Sequence, residues 1–182
     1  MSDVELGDAA PAGTEAPGNE TAKDHGRYAA IVVALTVADW FTKALVERLM
    51  DPYQQVALIG DYVRLTYIFN PGAAFGIHLG DASRVVFLVL SVVALAALAA
   101  MYRLTSADNR SRLTAIALIV GGALGNLIDR VRHQHGVVDF MDIGVGTVRW
   151  PVFNIADIAV TVGAIVLALS LWREEPPGAA PR

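Results

Sequence analysis

Four long apolar blocks set the fold class of this chain. The most uniform block runs from Val85 to Tyr102, carries no charged residue and is bracketed by Arg84 and Arg103. A transmembrane helix needs about 20 mostly apolar residues to cross a hydrocarbon core about 30 Å thick. The blocks therefore predict four membrane-spanning helices. Their approximate bounds are 28–47, 84–103, 113–131 and 153–172.

The other three blocks reach spanning length only if each takes in polar residues near one end. These residues are Asp39 and Lys43 in span one, Asp129 and Arg130 in span three, and Asp157 in span four. A charge in hydrocarbon costs at least a few kcal/mol, so an ionisable residue there is a candidate functional residue. Because the chain crosses four times, all five residues are expected at the same membrane face.

Composition excludes several classes of function. The chain is 54% hydrophobic, which is above the 45–50% typical of soluble domains. It has no cysteine, so disulfides, thiolate ligands and thiol nucleophiles are absent. Its basic residues are scattered, which argues against nucleic acid as a partner. No His-Glu-x-x-His helix and no serine beside a histidine occur, and we predict neither a metal site nor another cofactor.

The ends of the chain differ from the apolar blocks. Residues 1–26 are rich in small and acidic side chains and are predicted to form a disordered acidic tail, and 174–182 a second short tail. Residues 27–173 form the membrane domain. Both ends lie on one face with a short loop that holds Arg103, Arg110 and Arg112. Short arginine-rich loops stay cytoplasmic, so both termini are expected there.

Two loops on the opposite, extracytoplasmic face are predicted to form β-hairpins. In the first, 56–59 and 62–69 alternate around Gly60 and Asp61, and in the second, 137–143 and 147–153 flank a turn at 144–146. Such a platform would shelter the polar residues. It could also offer an edge to which an extended peptide pairs.

Carboxylates are the remaining candidates for chemistry. Asp157 has no cation at helical spacing, and Asp139 and Asp142 lie in the loop before span four. Spacing alone does not choose between Asp139 and Asp142, and Asp129 is interpreted as a cap or salt-bridge residue. Two carboxylates in a poorly hydrated site share one proton. One of them can then activate water while the other polarises a peptide carbonyl.

Five motifs resemble those of the lipoprotein signal peptidases, or signal peptidase II, which are aspartyl endopeptidases. The resemblance covers about Tyr28 to Trp172 and is specific, because the motifs occur in family order on the expected spans and loops. The motifs are Asp39–Lys43 (DWFTK), Asn70–Gly76 (NPGAAFG), Gly121–Arg130 (GGALGNLIDR), Gly136–Phe140 (GVVDF) and Phe153–Asp157 (FNIAD).

The resemblance implies a membrane all-α fold: a four-transmembrane-helix bundle with a small extracytoplasmic β-cradle formed mainly by the first loop. It implies a multi-pass enzyme of the bacterial inner membrane, monomeric and surrounded by phospholipid, with both termini cytoplasmic and its active site towards the extracytoplasmic face. Its substrates would be diacylglyceryl-modified prolipoproteins, cut before the lipidated cysteine.

The resemblance also assigns residues. Its catalytic aspartates fall on Asp139 and Asp157, which it selects over Asp142. We expect asparagines to orient this pair, Arg130 to steady a loop carbonyl or the substrate, and the span-one ion pair to hold that helix against the site. The supporting residues are Asp39, Lys43, Asn70, Gly72, Asn126, Arg130 and Asn154.

Two alternatives remain. One is a small membrane transport or assembly module in which Asp39, Lys43, Asp129 and Asp157 form a polar relay. The other is a catalytically inactive lipoprotein-binding relative, which would require the loss of one aspartate, whereas both are present.

Overall fold

The computed structural model describes residues 18–72 and 82–173 as four helices and four strands. The helices are α1 (Gly18–Leu49), α2 (Ser83–Leu104), α3 (Arg110–Arg132) and α4 (Ile155–Trp172). The strands are β1 (Gln55–Ile59), β2 (Val63–Asn70), β3 (Val137–Val145) and β4 (Val148–Arg149). The predicted tails at 1–17 and 174–182 lie outside the described residues.

All four helices are long and apolar enough to cross a membrane, which confirms the four predicted spans. In α1 the apolar stretch is His25–Leu49, but the helix itself begins earlier, at Gly18. Helix α1 therefore includes residues 18–26, which the sequence assigned to the tail, and the predicted disorder of 1–26 stays a prediction. Glu20, Ala22 and Lys23 favour helix, and adding residues to an existing helix costs far less than nucleating a new one.

Helix α3 lies at the centre and contacts the other three helices. Glycines allow this close approach. A Cβ on Gly121 would lie 3.0 Å from Leu35 Cβ, and one on Gly125 would overlap the carboxylate of Asp39. Small residues four apart on one helix let a neighbouring helix approach closely, and here that neighbour is α1.

The strands form one antiparallel sheet in the order β1-β2-β3-β4. The first predicted hairpin is confirmed as β1 and β2. In the second predicted hairpin, the strand β4 ends at Arg149. Pro151 cannot donate a ladder hydrogen bond, and pairing with β3 resumes at Phe153, which bridges Met141. Strand β3 pairs with β2, so both loops contribute to the sheet, which differs from the expectation of a cradle formed mainly by the first loop.

An apolar cluster fixes the sheet against one end of the bundle. Val46 of α1 packs against Tyr67 of β2 and against Val138 and Phe140 of β3. All four side chains are buried. The cluster therefore holds β3 beside the helix ends where α3 finishes and α4 begins.

Candidate active site

The two aspartates selected from the sequence meet at one asparagine. Asp139 lies on β3 and Asp157 lies in the first turn of α4. The side-chain amide of Asn154 donates to Asp139 Oδ1 at 2.6 Å, and its backbone N–H donates to Asp157 Oδ2 at 3.2 Å. The fold therefore places both carboxylates within hydrogen-bonding reach of a single residue.

Asn154 is also the N-cap of α4. Its side-chain oxygen accepts from the backbone N–H of Asp157 at 2.9 Å, and Asp157 returns the contact to the N-cap backbone, which completes a capping box. An acidic residue in the first turn is favoured by the helix dipole. The local sequence Asn-Ile-Ala-Asp thus fixes where Asp157 points, and its N-cap pattern was a signal that helical spacing alone had missed.

Asn126 of α3 presents its amide group to Asp157. Its side-chain oxygen accepts from Lys43 Nζ at 2.9 Å and from Asn154 Nδ2 at 3.1 Å. Because both lone pairs of the oxygen are used, its NH₂ group must face Asp157 Oδ1, which lies 2.8 Å away. The buried ammonium of Lys43 thereby sets the orientation of the Asn126 amide, which is a neutral donor to the carboxylate of Asp157.

Asn70, at the end of β2, presents its side-chain amide to Asp139. Its Nδ2 donates to Asp139 Oδ2 at 3.0 Å, and its oxygen accepts from the backbone N–H of Gly72 at 3.0 Å. Nearby, Gly136 has a φ of +106°, and a Cβ there would clash with Asn70 and Pro71. This glycine lets the start of β3 approach the end of β2.

Arg130 joins α3 to the same loop. Its guanidinium donates from Nη1 to the Asn126 carbonyl at 3.2 Å and from Nη2 to the Gly72 carbonyl at 3.1 Å. The backbone oxygen of Arg130 in turn accepts from Arg84 Nε at 2.8 Å. The expected contact of Arg130 with a loop carbonyl is present, and its planar fork suits two acceptors in fixed directions.

A buried ion triad supports the site from behind. Lys43 Nζ lies 2.7 Å from Asp39 Oδ2 and 2.9 Å from Asp129 Oδ2, and all three residues are at most 1% exposed. Asp129 fulfils the salt-bridge interpretation. It was missing from the supporting set, although it follows Asn126 by three residues and therefore shares its helix face.

The triad also holds the main chain next to each candidate aspartate. Asp129 Oδ2 accepts from the N–H of Val138 at 3.1 Å, and Asp39 Oδ1 accepts from the N–H of Ala156 at 2.9 Å. Val138 directly precedes Asp139, and Ala156 directly precedes Asp157. Each structural aspartate therefore fixes the backbone one residue before a candidate catalytic aspartate.

Asp142 is excluded from this cluster. Residues three apart on a strand point to opposite faces of the sheet, so Asp142 faces away from Asp139. Its carboxylate pairs with Arg149 Nε at 2.5 Å and accepts from Thr66 Oγ1 at 2.9 Å. The ambiguity that spacing left between the two residues is thus resolved by the alternation of β3.

Burial raises the pKa of Asp139 from its ordinary value of 3.8 to about 7, with a further contribution from the negative charge of Asp157. The amides of Asn70 and Asn154 and the charge of Lys43 act in the opposite direction but are outweighed. Asp139 therefore exchanges a proton near neutral pH, as a group in acid–base catalysis should.

His133 and His135 contact groups other than the two candidate aspartates. His133 Nε2 lies 3.0 Å from Glu47 Oε1, and the rings of His133 and His135 pack against Phe69. Within residues 25–72 and 82–173, no group of three histidine, aspartate or glutamate side chains is placed to hold a metal ion. His78 and Asp81 lie outside the described residues.

The chain is similar to two relatives over most of its length. The chain is 44% identical to the lipoprotein signal peptidase of Geobacter sulfurreducens over 81% of this chain and 92% of that protein. It is 41% identical to the lipoprotein signal peptidase of Halothermothrix orenii over 81% of this chain and 97% of that protein.

Among solved structures, one described as a bacterial membrane enzyme determined by the in meso method at 2.3 Å resolution superposes with a TM-score of 0.75. It is 31% identical and covers 86% of this chain and 94% of its own. The profile of the family Signal peptidase (SPase) II matches residues 31–173. The four spanning helices, the sheet at one end of the bundle and the profile match agree: this chain belongs to the signal peptidase II family.

Proposed function

We propose that this chain removes signal peptides from diacylglyceryl-modified prolipoproteins by cutting before the lipidated cysteine, with Asp139 and Asp157 as its catalytic pair. As a signal peptidase II it is an intramembrane aspartic protease of prolipoprotein processing. The observation that carries the residue assignment is the shared contact with Asn154, which joins two carboxylates from different elements.

The pair would work on one shared proton. The ionised carboxylate takes a proton from a water molecule as the water oxygen attacks the scissile carbonyl carbon. The protonated carboxylate gives its proton to the carbonyl oxygen, which yields a tetrahedral diol. Collapse of the diol transfers a proton to the peptide nitrogen and breaks the C–N bond. The products are a signal peptide with a new carboxyl end and a lipidated cysteine with a free amine.

The surroundings of Asp139 support its role as the proton holder. Each of its oxygens accepts one amide hydrogen bond, from Asn154 or from Asn70. A carboxylate oxygen has two acceptor positions, so one on each oxygen stays available to carry a proton towards substrate. Since amides are neutral donors, they orient the carboxyl group without fixing its charge.

The orientation in the membrane is part of the proposal. The site lies where α3 ends and α4 begins, while the α2–α3 loop at the other end is short and adjoins Arg103, Arg110 and Arg112. Arginine-rich short loops remain cytoplasmic. The proposed arrangement places both termini in the cytoplasm and the catalytic pair at the extracytoplasmic face, with the enzyme acting as a monomer among phospholipids.

The polar-relay alternative is disfavoured by how its members are paired. Lys43 is buried between Asp39 and Asp129, and both carboxylates are additionally committed to backbone N–H groups. A relay needs exchangeable groups that continue across the bundle. These residues instead form a closed support behind the two candidate catalytic aspartates.

The test uses purified protein and two versions of one lipobox peptide, with and without diacylglyceryl on the cysteine. Wild-type protein should cut only the modified peptide, while Asp139→Asn and Asp157→Asn should insert normally and cut neither. Equal cleavage of the unmodified peptide would contradict the substrate class. Normal cleavage by either variant would contradict the catalytic assignment.

A further inference from the structure

A cavity lies at the end of the bundle opposite the candidate active site. It occupies about 550 Å³ between α1, α2 and α3, within the range of about 300–1,000 Å³ found for small-molecule sites. We call it the α1–α3 groove. Its walls include Tyr28, Val32, Leu98, Tyr102, Ile116 and Leu124.

Small side chains open this groove towards the membrane. Ala29 of α1 and Ala99 of α2 line it and are exposed at the helix surface, where larger residues would close the gap. The lining on α3 extends from Ile116 to Leu124, which is about 12 Å along a helix. An extended hydrocarbon chain could therefore enter sideways from the bilayer.

The outer end of the groove is polar. A smaller cavity of about 320 Å³ shares His25, Tyr28, Tyr102 and Arg103 with the groove and continues to Thr105 in the α2–α3 loop. Arg103 is exposed, and His25 hydrogen-bonds to the Tyr102 hydroxyl. An apolar cavity that joins a smaller basic one matches a molecule with a long hydrocarbon chain and an anionic head.

Tyr28 gives a second, independent indication of a ligand. It lines both cavities and is only 2% exposed, yet its hydroxyl has no hydrogen-bond partner within residues 25–72 and 82–173. Leaving a buried hydroxyl unpaired costs about 1–3 kcal/mol, so such groups usually have a partner. A phosphate oxygen at the junction of the cavities would supply an acceptor.

We propose that the α1–α3 groove binds an anionic phospholipid, with one acyl chain in the larger cavity and the phosphate in the smaller one beside Arg103, His25 and the Tyr28 hydroxyl. The membrane orientation proposed above puts this end at the cytoplasmic leaflet, whose anionic lipids attract basic residues near the surface. The site is separate from the carboxylate pair and does not depend on peptidase activity.

The test is native mass spectrometry of the full-length protein in detergent, titrated with phosphatidylglycerol, phosphatidylcholine or inorganic phosphate. Phosphatidylglycerol should bind most tightly. Arg103→Gln should weaken its binding about fivefold, the equivalent of about 1 kcal/mol per basic residue near an anionic lipid. Tyr28→Phe should also weaken it about fivefold, by loss of one hydrogen bond. Ala99→Trp should abolish binding by filling the groove.

Matched controls separate this site from general lipid adhesion. Arg173→Gln removes an exposed arginine at the same membrane side, and Ala100→Trp adds the same bulk at an exposed position that does not line the groove. Both should bind as wild type does. Equal effects of test and control variants would overturn the proposal. Equal binding of the two lipids, or tight binding of inorganic phosphate alone, would also overturn it. A dimer mass without bound lipid would overturn it too, because a second copy of the chain would then cover the groove.

Discussion

Two buried carboxylates three residues apart on β3 have opposite surroundings. Asp142 is paired with the guanidinium of Arg149 and the hydroxyl of Thr66, so its charge is compensated where it lies. Asp139 accepts hydrogen bonds from the neutral amides of Asn70 and Asn154 and lies near a second carboxylate. A cation fixes one group as a structural anion, whereas burial among amides leaves the other able to exchange a proton.

The surroundings of Asp39 and Asp129 differ from those of both Asp139 and Asp142. Asp39 and Asp129 share the ammonium of Lys43 and each also accepts a backbone N–H. Lys43 Nζ donates to the side-chain oxygen of Asn126, and the Nδ2 of the same amide donates to Asp157. Asp157 therefore accepts from the neutral amide of Asn126. The ammonium of Lys43 stays paired with Asp39 and Asp129.

The largest expected contrast is between the two aspartates of β3. Asp139→Asn should lower the cleavage rate of diacylated substrate by at least about 10³-fold, as is typical when one member of a catalytic unit is removed. Asp142→Asn should keep the rate within about threefold and instead lower the free energy of unfolding by about 1–3 kcal/mol, because Arg149 loses the carboxylate that pairs with its Nε. Single-turnover cleavage and thermal unfolding measure the two effects. A large loss of cleavage in Asp142→Asn with little loss in Asp139→Asn would mean that Asp142, and not Asp139, is the catalytic residue.

Asn154→Ala should produce the next largest loss. It removes the side-chain donor to Asp139 and the cap that positions Asp157, so we expect kcat to fall about 10²-fold. Asn109→Ala is the matched control, since Asn109 caps α3 by accepting from Arg112 N far from the site. Both variants lose a cap worth about 1 kcal/mol. Similar kcat losses in the two would mean that Asn154 acts only through helix stability.

Arg130→Lys should lower cleavage about tenfold. An ammonium keeps the charge but cannot donate to the Asn126 and Gly72 carbonyls in the directions that the fork provides. Arg132→Lys, at a partly exposed position 3.8 Å from Glu47, should leave the rate unchanged. Wild-type activity in Arg130→Lys would show that charge alone suffices there.

The smallest effect is expected for the hydrogen bond that Thr66 donates to Asp142. Thr66→Val removes one hydrogen bond to Asp142 while the contact with Arg149 remains. The free energy of unfolding should fall by about 1 kcal/mol, with cleavage unaltered. A change in cleavage larger than the change in folded fraction would connect Asp142 to catalysis after all.

The sequence anticipated the helices better than the contacts between distant segments. Spans follow from local hydropathy, and residues spaced by three or four follow from helix geometry, so Asp39 with Lys43 was predictable. The pairing of β2 with β3 joins Asn70 to Val137, and nothing in either local pattern encodes it. The choice of Asp139 over Asp142 needed that pairing or the family resemblance.

The same limit explains what was missed at the site. The bond from Asp129 to the N–H of Val138 depends on how the chain turns back after α3, which composition does not reveal. The cavity around Tyr28 depends on gaps between three helices, each of which is unremarkable by itself. A Cβ on Gly136 would meet Asn70 only because the two loops fold together.

The pH dependence of kcat/KM reports whether Asp139 holds the proton that cleavage needs. With the pKa of Asp139 at about 7 in the free enzyme, the proposed catalytic pair should lose its shared proton as the pH rises through neutrality. We expect kcat/KM to decline about tenfold per pH unit above that point, in wild type and equally in Asp142→Asn. A flat profile from pH 6 to 9, or a decline that shifts in Asp142→Asn, would contradict it.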